Sequence, residues 1–311
     1  MMTLCGLSLR SLAGVLRVPS VSIVTFVSFV TFLGLGAAGC SRKETRDPVA
    51  QPVVTLSHAK AALGNPVDVT YRFEVTPGAP AFAENYRVFV HVMDSDEKLL
   101  WTDDHDPPIP TTQWKPGQKI EYVRTMFIPV QPYIGEATIQ VGLHSLTTQK
   151  RLPLTGRDAG HDAYDVAKLE LLPQTASIFT VFKDGWQNTE GAANSPEWTW
   201  TSMKDATVAF KNPKKDSLFY LDLDNPSSAF PEGQQVQVKL GDQIVDRFTL
   251  PPAHQLLRKI SLSSGMLGSQ DTVELKIDVD RTFVPAVITP GAKDRRELGV
   301  RVFHAVVTPT S

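Results

Sequence analysis

From about Pro52 onward, hydrophobic residues recur at every second position rather than at helical spacing. In VDVTYRFEV, Val67, Val69, Tyr71, Phe73 and Val75 share one face, with mostly polar residues between them. YRVFVHVM (86–93) is apolar on nearly both faces, as suits a central strand covered on two sides. EYVRTMFI (121–128), ATIQVGLH (137–144) and VAKLELL (166–172) continue the series. DSDEK, KPGQ and QPYIG separate these runs and carry the Pro, Gly and Asp that turns require. About seven short strands in roughly 120 residues predict an immunoglobulin-like sandwich over 52–173.

The pattern breaks at LLPQTAS, near Pro173, and a second series follows. ATVAF, SLFYLDLD, QVQVKL, IVDRFTL, LLRKISL, TVELKIDV and GVRVFHAVV are all strand-like, and Gly241-Asp242-Gln243 joins two of them as a tight hairpin. The longer, more numerous strands predict a jelly-roll-like sandwich over 175–309. The two halves share no motif, so the chain reads as all-β, with two different sandwiches in tandem. Helix signals are confined to short turns near Ala59 and Gly265.

The first forty residues differ from the rest. Arg10 and Arg17 precede an apolar run from Val18 to Gly36, and small residues lead into Cys40. Ala37-Ala38-Gly39-Cys40 resembles the lipobox of a bacterial lipoprotein signal, with alanine where leucine is commonest. The resemblance implies a signal peptide over 1–39 and an acylated (palmitate-type) Cys40 as mature N-terminus. Residues 40–51 would then be a polar tether. An uncleaved membrane-spanning helix is the alternative, since a run of this length could cross a bilayer.

This changes the cysteine count. Cys5 leaves with the signal and Cys40 carries lipid, so no thiol remains for disulfides, zinc or nucleophilic catalysis. Loss of Arg10 and Arg17 takes the basic count from 31 to 29 against 33 acids, a balance of −4. That mild, dispersed charge gives no footprint for nucleic acid. Cell-envelope location follows from the anchor. Ser41, where aspartate commonly favours inner-membrane retention, points to the outer membrane, facing the periplasm.

A second resemblance lies in the body of the chain. Phe89-Val90-His91, Asp106-Pro107, Pro110-Thr111, Trp114-Lys115-Pro116-Gly117, Gly142-Leu143 and Arg151-Leu152-Pro153 follow one another in a recognisable order. This resembles the extracytoplasmic β-sandwich segments attached to bacterial membrane glycosyltransferases, over about 86–154. The later marks, Gly185-Trp186, Trp198 and Trp200, TFVP (282–285) and DRRELGVRV (294–302), resemble another such accessory module. The resemblance implies fold and an envelope setting. It carries no catalysis, because no transferase domain is present.

The loop LLWTDDHDPPIPTTQW (99–114) offers Asp103, Asp104 and Asp106 as hard oxygen donors. Its spacing lacks the glycine and distal glutamate of an EF-hand, and His105 has only the distant His91 for company. We therefore expect a stiff structural loop without a metal. Asp103 and His105 should be solvated, Asp106 should cap backbone amides, and Trp114 should close the end of the sandwich. His91, inside an apolar strand, reads as a core histidine. Trp101, Trp114, Trp186, Trp198 and Trp200 are the ligand candidates, since a flat apolar ring stacks on the C–H face of a sugar; filling cores is their other use. Arg295 and Arg296 could contact a carboxylate or sugar, while Asp294 with Arg296 could instead pin a loop.

No catalytic residues and no cofactor are expected. The function classes left are a non-enzymatic module binding envelope glycan or an envelope protein, and a lipid-tethered spacer. A glycan hydrolase would need two convergent carboxylates, which spacing does not supply.

Overall fold

The computed structural model describes residues 46–191, 197–225 and 228–310. The signal segment, Cys40 and the first part of the tether lie outside the described residues. The first half forms β1 (Ala50–Leu56), β2 (Lys60–Ala62), β3 (Pro66–Val75), β4 (Arg87–Met93) and β5 (Leu99–Thr102). It continues with β6 (Lys119–Phe127), β7 (Gly135–His144), β8 (Arg151–Leu152), β9 (Arg157–Gly160) and β10 (Ala163–Leu172). One sheet has the order β1-β3-β6, and the other β2-β10-β7-β4-β5, with β8 on β7 and β9 on β10. All pairings are antiparallel except β2 with β10. In immunoglobulin letters this is A-B-E facing A′-G-F-C-C′.

The alternation of β3 is realised as written: Val67, Val69, Tyr71, Phe73 and Val75 are buried, and the residues between them are half-exposed. Pro52 is tolerated because β1 is an edge strand, paired only with β3 in the ladder. On β4 the outward Phe89 is buried too. It lies opposite Gly142, and the Arg151 guanidinium covers its ring at 4.2 Å. The glycine makes room for the ring: a Cβ at Gly142 would lie 2.3 Å from Phe89.

The second half forms β11 (Thr180–Phe182), β12 (Thr199–Trp200), β13 (Asp205–Lys211), β14 (Ser217–Asp224) and β15 (Gln234–Leu240). Then come β16 (Gln243–Leu250), β17 (Leu256–Leu262), β18 (Thr272–Val279) and β19 (Arg301–Pro309). The sheets are β11-β13-β18-β15-β16 and β12-β19-β14-β17. From β13 to β19 the chain changes sheet at every step except the β15–β16 hairpin, the interleaving of a jelly roll. That hairpin turns on Gly241, at φ 58°, and Asp242. Among the described residues helix is limited to short turns such as α1 (Ser264–Leu267), capped by the Ser263 side chain, and α2 (Pro285–Ile288).

Each pair of sheets encloses its own core, one drawn from Val49 to Leu171 and the other from Val208 to Val307. Both cores are thus drawn from residues within 49–307, all of them in the chain from Ser41 onward. Arg46, where the described fold begins, is clipped to Asp162 at 2.5 Å and to the Arg151 carbonyl at 3.0 Å. The two sandwiches touch along one seam within a single compact unit. There Lys259 bonds both oxygens of Asp68 (2.6 and 2.7 Å), and the rings of Phe127 and His304 stack at 3.8 Å.

Candidate functional site

The acidic loop after β5 packs onto the first sandwich, with its parts disposed otherwise than their polarity suggests. His105 exchanges backbone hydrogen bonds with Val88 (2.9 Å each), so the loop runs on beside β4. Its ring is buried at 3% exposure against Tyr71, 4.9 Å away. Nδ1 lies 2.9 Å from the Asp103 carbonyl, so it carries the proton. Nε2 then accepts from the Tyr122 hydroxyl at 2.8 Å. The solvated placement expected of His105 is thus corrected: the open side of the sandwich between β5 and β6 needs filling, and this imidazole fills it. Asp103 is also drawn in, facing Arg124 at 3.5 Å. Burial raises its carboxyl pKa, with Arg124 pulling it back. Burial likewise holds the Tyr71 and Tyr122 hydroxyls protonated.

Asp104, not Asp106, is the cap, with Oδ1 accepting the Val90 N–H at 2.9 Å. Asp106 is largely exposed and lies 3.1 Å from Arg87 in an ion pair. His91 is half-buried on the outer side of β4 beside Phe89 (4.9 Å), not in the core. Among the described residues no group of acids and histidines could hold a metal ion.

Burial lowers the His105 pKa from 6.5 to about 4. The unfolded chain therefore binds the extra proton first, and stability rises with pH between these values. This contribution, about 3 kcal/mol, is complete above about pH 6.5 and is lost as pH falls through about 4. Asp103, shifted upward, gives the opposite slope, so the measurement is a difference. Urea unfolding across pH 4–7 should show a shallower dependence in His105→Gln than in wild type; identical slopes would refute the buried neutral imidazole.

The tryptophans divide. Trp114 is 3% exposed, packed on Phe73 and Phe82, with Nε1 donating to the Ile109 carbonyl at 2.8 Å. Trp200 is 9% exposed and meets Phe283 edge-on. Neither is a free platform, which corrects the ligand reading for both: their rings are already covered. Trp101 packs half-buried on the first core. Trp186 stacks on Phe182 at 4.2 Å and donates to the Thr207 carbonyl. Trp198 is half-buried with the Arg301 guanidinium over it at 5.1 Å, and Asp224 holds that guanidinium by two hydrogen bonds. Arg296 is engaged by Asp294 (2.6 Å) and Glu190 (2.5 Å), so it is a loop clamp and not a free contact. Arg295 is exposed.

Two motif segments converge at one end of the second sandwich. Phe283 and Leu298 exchange backbone hydrogen bonds at 2.8 Å each, and Ala286 N–H donates to the Asp294 carbonyl at 2.8 Å. A pocket of about 420 Å³ opens there, lined by Phe230, Arg281, Thr282, Phe283, Val287 and Glu297 among others. Phe283 rests edge-on against Phe230 at 5.7 Å, and Arg281 covers Phe230 at 5.4 Å. Thr282 Oγ1 donates to Glu297 Oε1 at 2.5 Å. Two phenylalanines, a threonine, a glutamate and an arginine thus line one space, and the Arg281 guanidinium also donates to the Gly233 carbonyl at 2.7 Å. Phe230, Arg281, Phe283 and Glu297 were missed as site residues: Phe283 and Glu297 stand inside the TFVP and DRRELGVRV segments, but nothing local shows that these segments meet each other and Phe230.

A larger cleft, about 860 Å³, lies along the seam between the sandwiches. Val123, Arg124 and Thr125 of β6 form one wall, and Asp222, Gln255, Lys259 and His304 lie among the residues opposite. Asp222 is held by Gln255 (2.8 Å) and His304 (3.0 Å).

No family model and no curated protein matches this chain. Among solved structures, it is similar to the CBM51-2 and INT domains of Clostridium perfringens ZmpB, with 6% identity over 57% of this chain, 38% of that one, and TM-score 0.24. The ZmpB CBM51-2 domain in complex with GlcNAc, with INT domains, gives 10% identity, 82% and 40% coverage, and TM-score 0.23. A Bacteroides uniformis β-glucuronidase gives 9% identity, 84% and 30% coverage, and TM-score 0.26. The chain thus spans well under half the length of each, and superpositions this loose carry no functional argument.

Proposed function

We propose that this chain is a non-enzymatic, lipid-anchored protein of the bacterial cell envelope that binds carbohydrate in the end pocket of the second sandwich. The observation that carries the reading is the pocket's composition. Phe283 offers a face for sugar C–H groups, while the Thr282–Glu297 pair and Arg281 offer donors and acceptors for hydroxyls. Glu297 is the one carboxylate lining this pocket among the described residues. Glycoside cleavage ordinarily uses two, so binding fits better than hydrolysis.

A glycan array probed with the chain from Ser41 tests the reading. Glu297→Gln should weaken binding about tenfold or more, equivalent to about 1.4 kcal/mol, without changing the fold. Wild type that binds no envelope polysaccharide would sink it. A tethered spacer is the second reading, favoured by the covered rings of Trp114 and Trp200 and the clamped Arg296.

The anchor is tested separately. Cys40→Ser should move the protein from the membrane to the soluble fraction, because the acyl chains supply the apolar burial that holds it. Sorting to the outer membrane, proposed from Ser41, predicts wild type in that fraction. Recovery in the inner membrane would remove the sorting claim and leave acylation standing.

A further inference from the structure

We propose that the open edge of β6 accepts an extended segment of a partner protein as the fourth strand of the first sandwich's smaller sheet. That sheet holds only β1, β3 and β6, the A, B and E positions. A constant-type immunoglobulin sheet has a fourth strand beside E. Here the chain passes from β5 to β6 through the loop of Asp103 to Gln118, which lays no strand against that side. β6 pairs with β3 from Lys119↔Glu74 to Phe127↔Pro66, and among the described residues its other edge pairs with no strand.

The cleft exposes this edge. Side chains alternate across a strand, so a surface that touched only one face of β6 would meet every second residue. Val123, Arg124 and Thr125 all line the cleft, so it runs along the strand's edge. A row of main-chain N–H and C=O groups at strand spacing is complementary to another main chain. Side chains then set the preference. Leu257, Phe127 and the exposed Val123 offer apolar contact, while Arg124 and Lys259 are already paired with Asp103 and Asp68, so apolar side chains in the guest are favoured over charged ones. Lys119, Glu121 and Arg124 on the strand discourage indiscriminate pairing.

The test uses the chain from Ser41 and random linear peptides displayed on phage. A selected peptide should protect amides of Val123 to Phe127 from hydrogen exchange. Methylating its backbone nitrogens one at a time should weaken binding about tenfold or more at alternate positions only. Neighbouring residues point their N–H groups to opposite edges, so Val123→Pro and Arg124→Pro separate the two ladders. One should lower thermal stability by breaking the β3 ladder; the other should keep the fold and abolish peptide binding. Failure to select any peptide, or binding indifferent to every N-methylation, would overturn the proposal. So would concentration-dependent dimerisation lost in the fold-preserving proline variant, which would assign the edge to a second copy. Glu297→Gln should leave peptide binding intact, so this result stands or falls apart from the carbohydrate reading.

Discussion

Trp114→Ala should lower the stability of the first sandwich by about 4 kcal/mol. The indole is almost wholly enclosed, touching Phe73 and Phe82 beneath the crossing from one sheet to the other. Truncation removes a large apolar surface and leaves a cavity that the flanking β-strands cannot close. It also strands the Ile109 carbonyl, which accepts from Nε1. Trp114→Phe isolates that last component, retaining most of the ring contact and costing about 1 kcal/mol for the hydrogen bond. Denaturant midpoints measured with unchanged slopes provide the check. The cores are separate, so the second sandwich should melt as before if the two unfold in distinct steps. A midpoint that hardly moves would show that the indole is not enclosed as described.

Gly185→Ala should be comparably severe in the second sandwich, about 3 kcal/mol or more. Gly185 sits at φ 85°, where L side chains are strained. A Cβ there would also lie 2.2 Å from the Asp205 carbonyl oxygen and 2.7 Å from the Ala206 Cα. Both are backbone atoms of β13, so no rotamer change relieves the overlap. The same segment is bonded across to Thr207 and Ser202, which fixes it against the strand. Gly241→Ala provides the calibration. It shares a positive φ of 58° but has nothing within 4 Å of the added carbon, and should cost only about 1 kcal/mol. Equal effects of the two substitutions would mean that conformation, and not close approach, decides the first.

What could be read from the sequence depended on length and period. β3, β6, β7 and the strands from β13 to β19 are long enough to show alternation, and their patterns place them directly. β2, β5, β8, β9, β11 and β12 have two to four residues, too few for a period to register. β1 was obscured by Pro52, which its edge position tolerates. DDHD reads as solvated because local polarity says nothing about the gap at a sandwich's open side. A signal did exist in KIEYVRTMF. Ile120 and Met126 face inward, and the same alternation sends Tyr122 and Arg124 inward with them. An inward arginine beside an inward tyrosine requires polar partners, and Asp103 and His105 supply them. The end pocket had no such signal, because Phe230, Phe283 and Glu297 meet only after folding.

The clip at Arg46 sets a length of leash. With Cys40 acylated as proposed, Ser41 to Thr45 are the residues between the lipid and Arg46, the first described residue. Even fully drawn out, that stretch reaches about 20 Å, less than the diameter of one sandwich. Such a protein samples only the layer next to its own bilayer. Anything it holds must be brought within that layer, so binding would also fix the height at which a glycan or a guest strand is presented.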